Sequence, residues 1–233
     1  MPLFLMKFKL LEHAREDCMT LFGGLTPEDD KADMGQGIKL IGRWSTLGEG
    51  AGFCICEADD AQVLGNWLVN WTPMVTITTV PIVDDNQARE IILKEKPSYI
   101  VDHSNAGAEA KDGESLFIIE YKFRDGCKEK GFETFANLSE QDDVGDAGNN
   151  TLFGRWHNLG TGSGIAICSS KSEFDLYTWA NHWTQLCDCL ITPVLSDAVF
   201  RKIMQNKPDF QTKRSALLDK MSAKPKKRSG WFS

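Results

Sequence analysis

The hydrophobic and polar positions of the first hundred residues divide them into four strand-like runs separated by helix-like stretches. Strands are predicted where apolar and polar positions alternate or where β-branched residues accumulate, at 3–10, 38–46, 52–58 and 74–83. Helices are predicted over 14–23, from a cap at Asp59-Asp60 to Trp71, and from Asp84-Asp85 to the residues before Pro97. This order, βαββαβ followed by one more helix, is the ferredoxin-like pattern.

The same pattern occurs twice in the chain. At an offset of 113 and later 112 residues, Gly42-Arg43-Trp44 aligns with Gly154-Arg155-Trp156, and Trp67 and Trp71 align with Trp179 and Trp183. We therefore predict an α+β fold of two ferredoxin-like βαββαβ repeats, packed as a pseudo-twofold fused dimer in an α+β barrel or sandwich. The predicted divisions are a first repeat at 1–97, a surface linker at 98–115, a second repeat at 116–210 and a basic C-terminal arm at 211–233.

Charge is unevenly distributed along the chain. The 233 residues carry 26 Lys and Arg against 33 Asp and Glu, a net charge of −7. Residues 211–233 hold seven basic residues and one Asp, a net +6, whereas residues 1–210 hold 19 basic and 32 acidic residues, a net −13. An acidic body is a poor match for nucleic-acid phosphates, and no apolar run approaches the ~20 residues of a membrane-spanning helix. We expect protein partners or a small neutral ligand, with no nucleic acid and no membrane insertion.

Tryptophan pairs at i,i+4 lie on one face of a predicted helix in each repeat. The pairs anchor their helices on the sheet, or they line an apolar ligand pocket or a socket for another subunit. The first pair lies beside Asn70 and the second beside His182, so two pockets built on them would differ chemically. The residues concerned are Trp67, Trp71, Trp179, His182 and Trp183.

An arginine precedes a tryptophan on one predicted strand of each repeat, and the two side chains point to opposite faces. Arg43 and Arg155 therefore lie opposite Trp44 and Trp156. A buried guanidinium needs a partner. The arginines form structural pairs with carboxylates, lie on an exposed face, or recognise an anion or an interface.

No catalytic set stands out in the sequence. His157 is either a general base or a structural hydrogen-bonding residue, and its counterpart in the first repeat is Ser45. The glycine-bearing turns at 48–52 and 160–164 join two strands, so we interpret them as hairpins and not as phosphate loops. Same-face cysteines at 54 and 56 and at 187 and 189 are typical of small buried hydrophobic residues. We predict free thiols, no cofactor, no metal site and no enzymatic activity.

The C-terminal arm combines positive charge with terminal aromatic residues. Residues 213–220 are a candidate short helix, and the segment after it is too polar to bury itself. The arm is either a solubilising tail or a hook that binds the acidic body of another copy, with Trp-Phe filling an apolar socket. Head-to-tail contacts of this kind generate sheets or filaments. The interface residues predicted on this basis are Lys226, Lys227, Arg228, Trp231 and Phe232.

The Gly-Arg-Trp motif, the glycine turn, residues 52–57, the Trp-x-x-x-Trp-Thr helix end and residues 76–82 resemble a domain-of-unknown-function family of marine cyanobacteria and algae. That family is of the dimeric α+β barrel type, and the resemblance covers residues 3–95 and 116–208. The two-copy architecture with its arm also resembles the pyrenoid shell proteins of diatoms. This second resemblance implies a self-assembling shell protein at the pyrenoid periphery in the plastid stroma, with Rubisco condensate as a partner. No transit peptide precedes the first repeat in this sequence, so we expect either the mature form of a plastid protein or a relative in the cytoplasm. The alternative function is a small-molecule-binding protein or an enzyme of the dimeric α+β barrel type.

Overall fold

The computed structural model describes residues 1–46 and 48–223, in which two similar repeats are followed by one helix. The first repeat comprises β1 (Leu3–Leu10), α1 (Arg15–Gly23), α2 (Pro27–Met34), β2 (Ile38–Thr46), β3 (Ala51–Ala58), α3 (Ala61–Leu68), β4 (Val75–Asp84) and α4 (Asp85–Leu93). The second comprises β5 (Ser115–Phe123), α5 (Lys128–Ala136), α6 (Glu140–Ala147), β6 (Thr151–Asn158), β7 (Ser163–Ser170), α7 (Glu173–Trp183), β8 (Cys187–Ser196) and α8 (Asp197–Gln205). Helix α9 (Phe210–Ala223) follows.

The strands form one closed antiparallel barrel in the order β1-β3-β2-β8-β5-β7-β6-β4. The repeats join where β2 pairs with β8, with Trp44 opposite Ser196, and where β4 pairs with β6, with Asp84 opposite Trp156. The glycine-bearing turns connect β2 to β3 and β6 to β7, as predicted for hairpins. The prediction of two ferredoxin-like repeats fused as a pseudo-twofold α+β dimer is therefore confirmed.

The barrel interior explains the Gly-x-Trp spacing of the repeated motif. Trp44 and Trp156 point inward and are each 1% exposed. The glycine two positions earlier lies on the same face of the strand. A Cβ atom at Gly42 or Gly154 would lie only 2.3 or 2.4 Å from the indole of that tryptophan. Glycine is therefore required for the ring to lie flat over its own strand.

Helices pack on the outer face of the barrel, and two of them are missing from the sequence-based prediction. These are α2 and α6, which precede the second strand of each repeat. Each begins with a capping box, formed by Thr26 with Asp29 and by Ser139 with Asp142. The Ser/Thr-x-x-Asp spacing, with Pro27 at the first helical position, was the available signal. It was obscured because both helices have little apolar periodicity and many acidic residues.

The segment between the repeats does not lie wholly on the surface, contrary to the prediction of a surface linker. Ala106 is 1% exposed and packs with the barrel core, next to Ala108 and Ala110. A Cβ atom at Gly107 would lie 2.6 Å from the carbonyl oxygen of Ile41. The small residues that suggested flexibility are instead those that permit close packing.

Helix α9 is longer than the predicted helix at 213–220 and packs on its own chain. Phe210 and Leu217 are buried, and Lys220 pairs with Asp17 of α1 at 3.3 Å. Arg214 donates a hydrogen bond to the carbonyl oxygen of Gly24 at 3.1 Å. The predicted interface residues Lys226, Lys227, Arg228, Trp231 and Phe232 lie outside the described residues. Among the described residues, no helix is long and apolar enough to cross a membrane.

Candidate functional site

Each repeat contributes an arginine to a buried ion-pair cluster that ties the two repeats together. Arg155 on β6 donates hydrogen bonds to Asp143 of its own repeat at 3.0–3.2 Å and to Asp85, at the start of α4 in the other repeat, at 2.7–3.2 Å. The carboxylates hold the pKa of Arg155 above its usual range despite burial. The arginine predicted to need a partner therefore has two.

The first-repeat cluster has the same plan. Arg43 binds Asp30 of its own repeat and donates to Asp197 of the other repeat at 2.7–3.1 Å. A second arginine, Arg201 on α8, binds Asp30 at 2.9 Å. Of the alternatives left open for Arg43 and Arg155, the geometry shows carboxylate pairing. The carboxylates on α2 and α6 were missed because those helices were not predicted.

The tryptophan pairs are held by one carboxylate in each repeat. Trp67 and Trp71 both donate their indole N–H to Asp33 Oδ2, at 2.7 and 2.8 Å. In the second repeat, Trp179 and Trp183 both donate to Asp146 Oδ2, at 2.9 and 2.7 Å. His182 binds the other oxygen of Asp146 at 2.8 Å and is half-exposed in a surface groove. The carboxylate fixes both rings, so that their apolar faces are turned toward the space between helices and sheet.

A cavity of about 90 Å³ lies in that space in the first repeat. Its wall is mostly apolar and includes Met6, Met19, Trp67 and Trp71. Polar side chains on the wall come from β2, at Arg43 and Ser45, which share one face of the strand. The cavity is thus a mainly apolar space with a few polar groups on one strand, which is the usual composition of a small-molecule site.

A smaller cavity of about 60 Å³ occupies the equivalent place in the second repeat. Phe123 on its wall replaces Leu10 of the first repeat, which reduces the space. Trp179 and Trp183 line it, whereas His182 does not. The predicted pocket therefore consists of two separate cavities, one in each repeat.

The second cavity has a hydrogen-bonded chain that the first lacks. Tyr121 Oη is hydrogen-bonded to His157 Nδ1, and His157 Nε2 lies 2.6 Å from Asp85 Oδ1. The first repeat has Phe8 and Ser45 at the positions of Tyr121 and His157. Burial lowers the pKa of His157 and raises that of Tyr121. Both side chains are therefore neutral at neutral pH.

Three of the four cysteines predicted to be buried hydrophobic residues line these cavities. Cys54 lines the first cavity, and burial raises its pKa well above the usual range. Cys187 and Cys189 line the second cavity, with their sulfur atoms 3.7 Å apart. Within residues 1–46 and 48–223, no group of three His, Cys, Asp or Glu side chains is arranged to hold a metal ion.

Two fused ferredoxin-like repeats in a closed barrel, each with a cavity under its helices, define a protein of the dimeric α+β barrel type. The family model described as "Domain of unknown function (DUF3303)" matches residues 2–96 and 115–208. The chain therefore belongs to the DUF3303 family and contains two copies of its domain. Comparison with curated protein sequences finds no match.

Several solved structures are similar to the chain at low sequence identity. A candidate monooxygenase from Lactobacillus acidophilus NCFM is 9% identical, with a TM-score of 0.48 over 84% of this chain and 94% of the other. A candidate monooxygenase from Fusobacterium nucleatum is 8% identical, with a TM-score of 0.48 over 84% and 91%. A DypB variant in complex with manganese is 10% identical, with a TM-score of 0.47 over 85% and 94%.

These comparisons correct two predictions from the sequence. The chain was expected to be a self-assembling shell protein, and it was expected not to be an enzyme. The similar structures are named as two candidate monooxygenases and a DypB variant, and neither expectation is retained. The sequence features that led to the shell-protein expectation were the duplication and the C-terminal arm. The duplication is accounted for by closure of one barrel, and it needs no lattice.

Proposed function

We propose that this chain is a small-molecule-binding protein and that its first-repeat cavity takes a small, mainly apolar ligand carrying one hydrogen-bond acceptor. The observation that carries the proposal is the pairing of an apolar cavity with a buried hydroxyl on its wall. Ser45 lies on the same face of β2 as Arg43, lines the cavity and is 4% exposed. Buried polar groups are nearly always satisfied in folded proteins. A ligand acceptor beside Ser45 gives this hydroxyl a hydrogen-bond partner inside the cavity.

The size and the wall of the cavity limit the ligand. An apolar cavity of roughly 150 Å³ accommodates benzene, so a space of about 90 Å³ suits a five-membered ring or a short branched chain. Met6 and Met19 are flexible and adapt the wall to its occupant. Arg43 is already bound to Asp30 and Asp197, so its charge is neutralised and the site does not select an anion.

The test compares two probes of nearly equal shape, cyclopentanone and methylenecyclopentane, which differ in C=O against C=CH2. Binding to the full chain is followed by ligand-observed NMR. We expect cyclopentanone to bind at least tenfold more tightly, and Ser45→Ala to abolish the difference because a methyl group cannot donate a hydrogen bond. Equal affinities for the two probes in the wild type would refute the acceptor-binding role of Ser45.

A second variant tests whether the probes bind in the first-repeat cavity. Leu10→Phe with Met19→Phe introduces the residues that the second repeat has at the equivalent positions, Phe123 and Phe132. We expect this filled variant to bind both probes at least tenfold more weakly. The reciprocal variant, Phe123→Leu with Phe132→Met, is the matched control and should bind cyclopentanone as the wild type does. Unchanged binding by the filled variant would place the ligand elsewhere.

Self-association through the arm, a Rubisco-containing partner and the plastid compartment stay predictions from the sequence. None of the contacts described above depends on them. Size-exclusion chromatography with multi-angle light scattering, on the full chain and on a chain ending at residue 223, tests self-association separately from ligand binding.

A further inference from the structure

The second-repeat cavity has the composition of a proton-transfer site. Tyr121 and His157 both line it, and together with Asp85 they form a continuous chain of hydrogen bonds from the cavity wall to a fully buried carboxylate. Nothing in the fold requires this chain, because the first repeat packs with Phe8 and Ser45 in its place. The barrel therefore contains two copies of one cavity, and the second copy carries this hydrogen-bonded chain.

We propose that Tyr121 is the acid–base residue of a second site, which removes a proton from a small neutral molecule with an acidic C–H or O–H group. His157 accepts the proton that Tyr121 relays, and Asp85 is the residue that positions His157. The inference concerns a different cavity from the one assigned above and does not rest on that assignment.

The direction of the hydrogen bonds follows from the charges. Asp85 is 0% exposed and accepts from Arg155, so it is ionised and accepts from the N–H at His157 Nε2. The neutral ring then has its lone pair at Nδ1, where it accepts the Tyr121 hydroxyl proton. The lone pairs of Tyr121 Oη are left to accept from a molecule in the cavity.

The proton transfer balances without any further reagent. The ligand C–H or O–H bond breaks and its proton bonds to Tyr121 Oη, while the original hydroxyl proton moves to His157 Nδ1. The products are a ligand anion and an imidazolium, with Tyr121 neutral before and after. Asp85 stabilises the imidazolium at 2.6 Å. Reversal returns the proton.

The surroundings of the histidine set its pH dependence. Its ring packs on Phe135, with centroids 4.3 Å apart, and is 2% exposed. Burial lowers the pKa of His157, which keeps the acceptor nitrogen free at neutral pH. The titratable and charged groups around the ring are Asp85, Arg89, Tyr121, Asp143 and Arg155.

The test uses nitromethane, a carbon acid small enough for about 60 Å³, in deuterated buffer with the full chain. General-base catalysis exchanges the methyl protons for deuterium, and proton NMR follows the loss of signal. We expect Tyr121→Phe, which places the residue of the first repeat here, to exchange nitromethane at least tenfold more slowly than the wild type. Tyr177→Phe, on the exposed face of α7, is the matched control and should exchange at the wild-type rate.

Two further measurements separate the proton-accepting role of His157 from a structural one. His157→Ser should lower the exchange rate and remove the rise of that rate with pH as the imidazole loses its proton. Nitrogen-15 NMR of the wild type should show His157 protonated at Nε2 and unprotonated at Nδ1. Equal exchange by wild type and Tyr121→Phe, or a proton resident on Nδ1, would overturn the proposal. Neither result bears on cyclopentanone binding in the first cavity.

Discussion

Removing Asp85 should destabilise the protein far more than removing its pseudo-symmetric counterpart, Asp197. Asp85 is 0% exposed and accepts four hydrogen bonds, three from Arg155 and one from His157. In Asp85→Ala, Arg155 keeps only Asp143 as a carboxylate partner, and His157 Nε2 loses its acceptor. Breaking a buried charge network by removing one partner costs about 3–5 kcal/mol.

The counterpart gives the internal control. The Asp197 side chain is 21% exposed, and Arg43 keeps Asp30 when Asp197 is removed. Water can solvate the groups left behind, so Asp197→Ala should cost about 1–3 kcal/mol, the range for a hydrogen bond to a charged group. In a domain of this size each kcal/mol lowers Tm by about 2–4 °C, so Asp85→Ala should lower it by roughly 6–20 °C.

The assay is urea unfolding at pH 7, followed by tryptophan fluorescence and far-ultraviolet circular dichroism, with the m-value checked for each variant. A double-mutant cycle with Arg155→Met isolates the pair. The double variant should be destabilised by at least about 1 kcal/mol less than the sum of the single variants, because each single variant already breaks the same contact. A cost for Asp85→Ala no larger than that for Asp197→Ala would refute the argument that burial of the carboxylate sets the difference.

Three other outcomes follow from the contacts described. Asp33→Ala leaves two indole N–H groups without their acceptor and should lower the free energy of unfolding by urea by about 2–4 kcal/mol. Lys31→Ala, on the exposed face of the same helix, should change it by no more than about 0.5 kcal/mol. Equal costs for the two variants would contradict the role of the Asp33 carboxylate. Ala106→Leu should lower the free energy of unfolding by about 1–3 kcal/mol by overpacking the barrel core. Glu109 is exposed, so Glu109→Leu should lower it much less. An unchanged free energy of unfolding in Ala106→Leu would place the segment on the surface. The folded-state pKa of His157 is lowered below 6.5, so the unfolded state binds the proton first as pH falls. The free energy of unfolding should therefore decrease as pH falls from about 6.5 toward the folded-state pKa. His157→Ser should remove this dependence of the free energy of unfolding on pH. An identical pH dependence in the variant would show that His157 is not its cause.

The repeated Gly-x-Trp and Trp-x-x-x-Trp spacings were sufficient to predict the fold. They reflect local rules of strand alternation and helix periodicity, so the two copies could be aligned and each element assigned from its own residues. The opposite directions of Arg43 and Trp44 followed from the same alternation. Helices α2 and α6 were within reach as well, through their capping boxes, but their acidic sequences lack the apolar stripe on which the prediction relied.

Which side chains meet was decided by the tertiary structure alone. Asp85 and His157 are 72 residues apart and belong to different repeats, and they meet only because β4 pairs with β6 when the barrel closes. The sequence showed His157 as an isolated histidine with a serine counterpart, and it showed the acidic residues of α2 and α6 as surplus charge. Closure of the barrel makes those charges partners of buried arginines and tryptophans, and it leaves two unequal cavities under helices of the same kind. Neither the pairing nor the difference between the cavities is visible in local periodicity, because both depend on contacts between residues far apart in the chain.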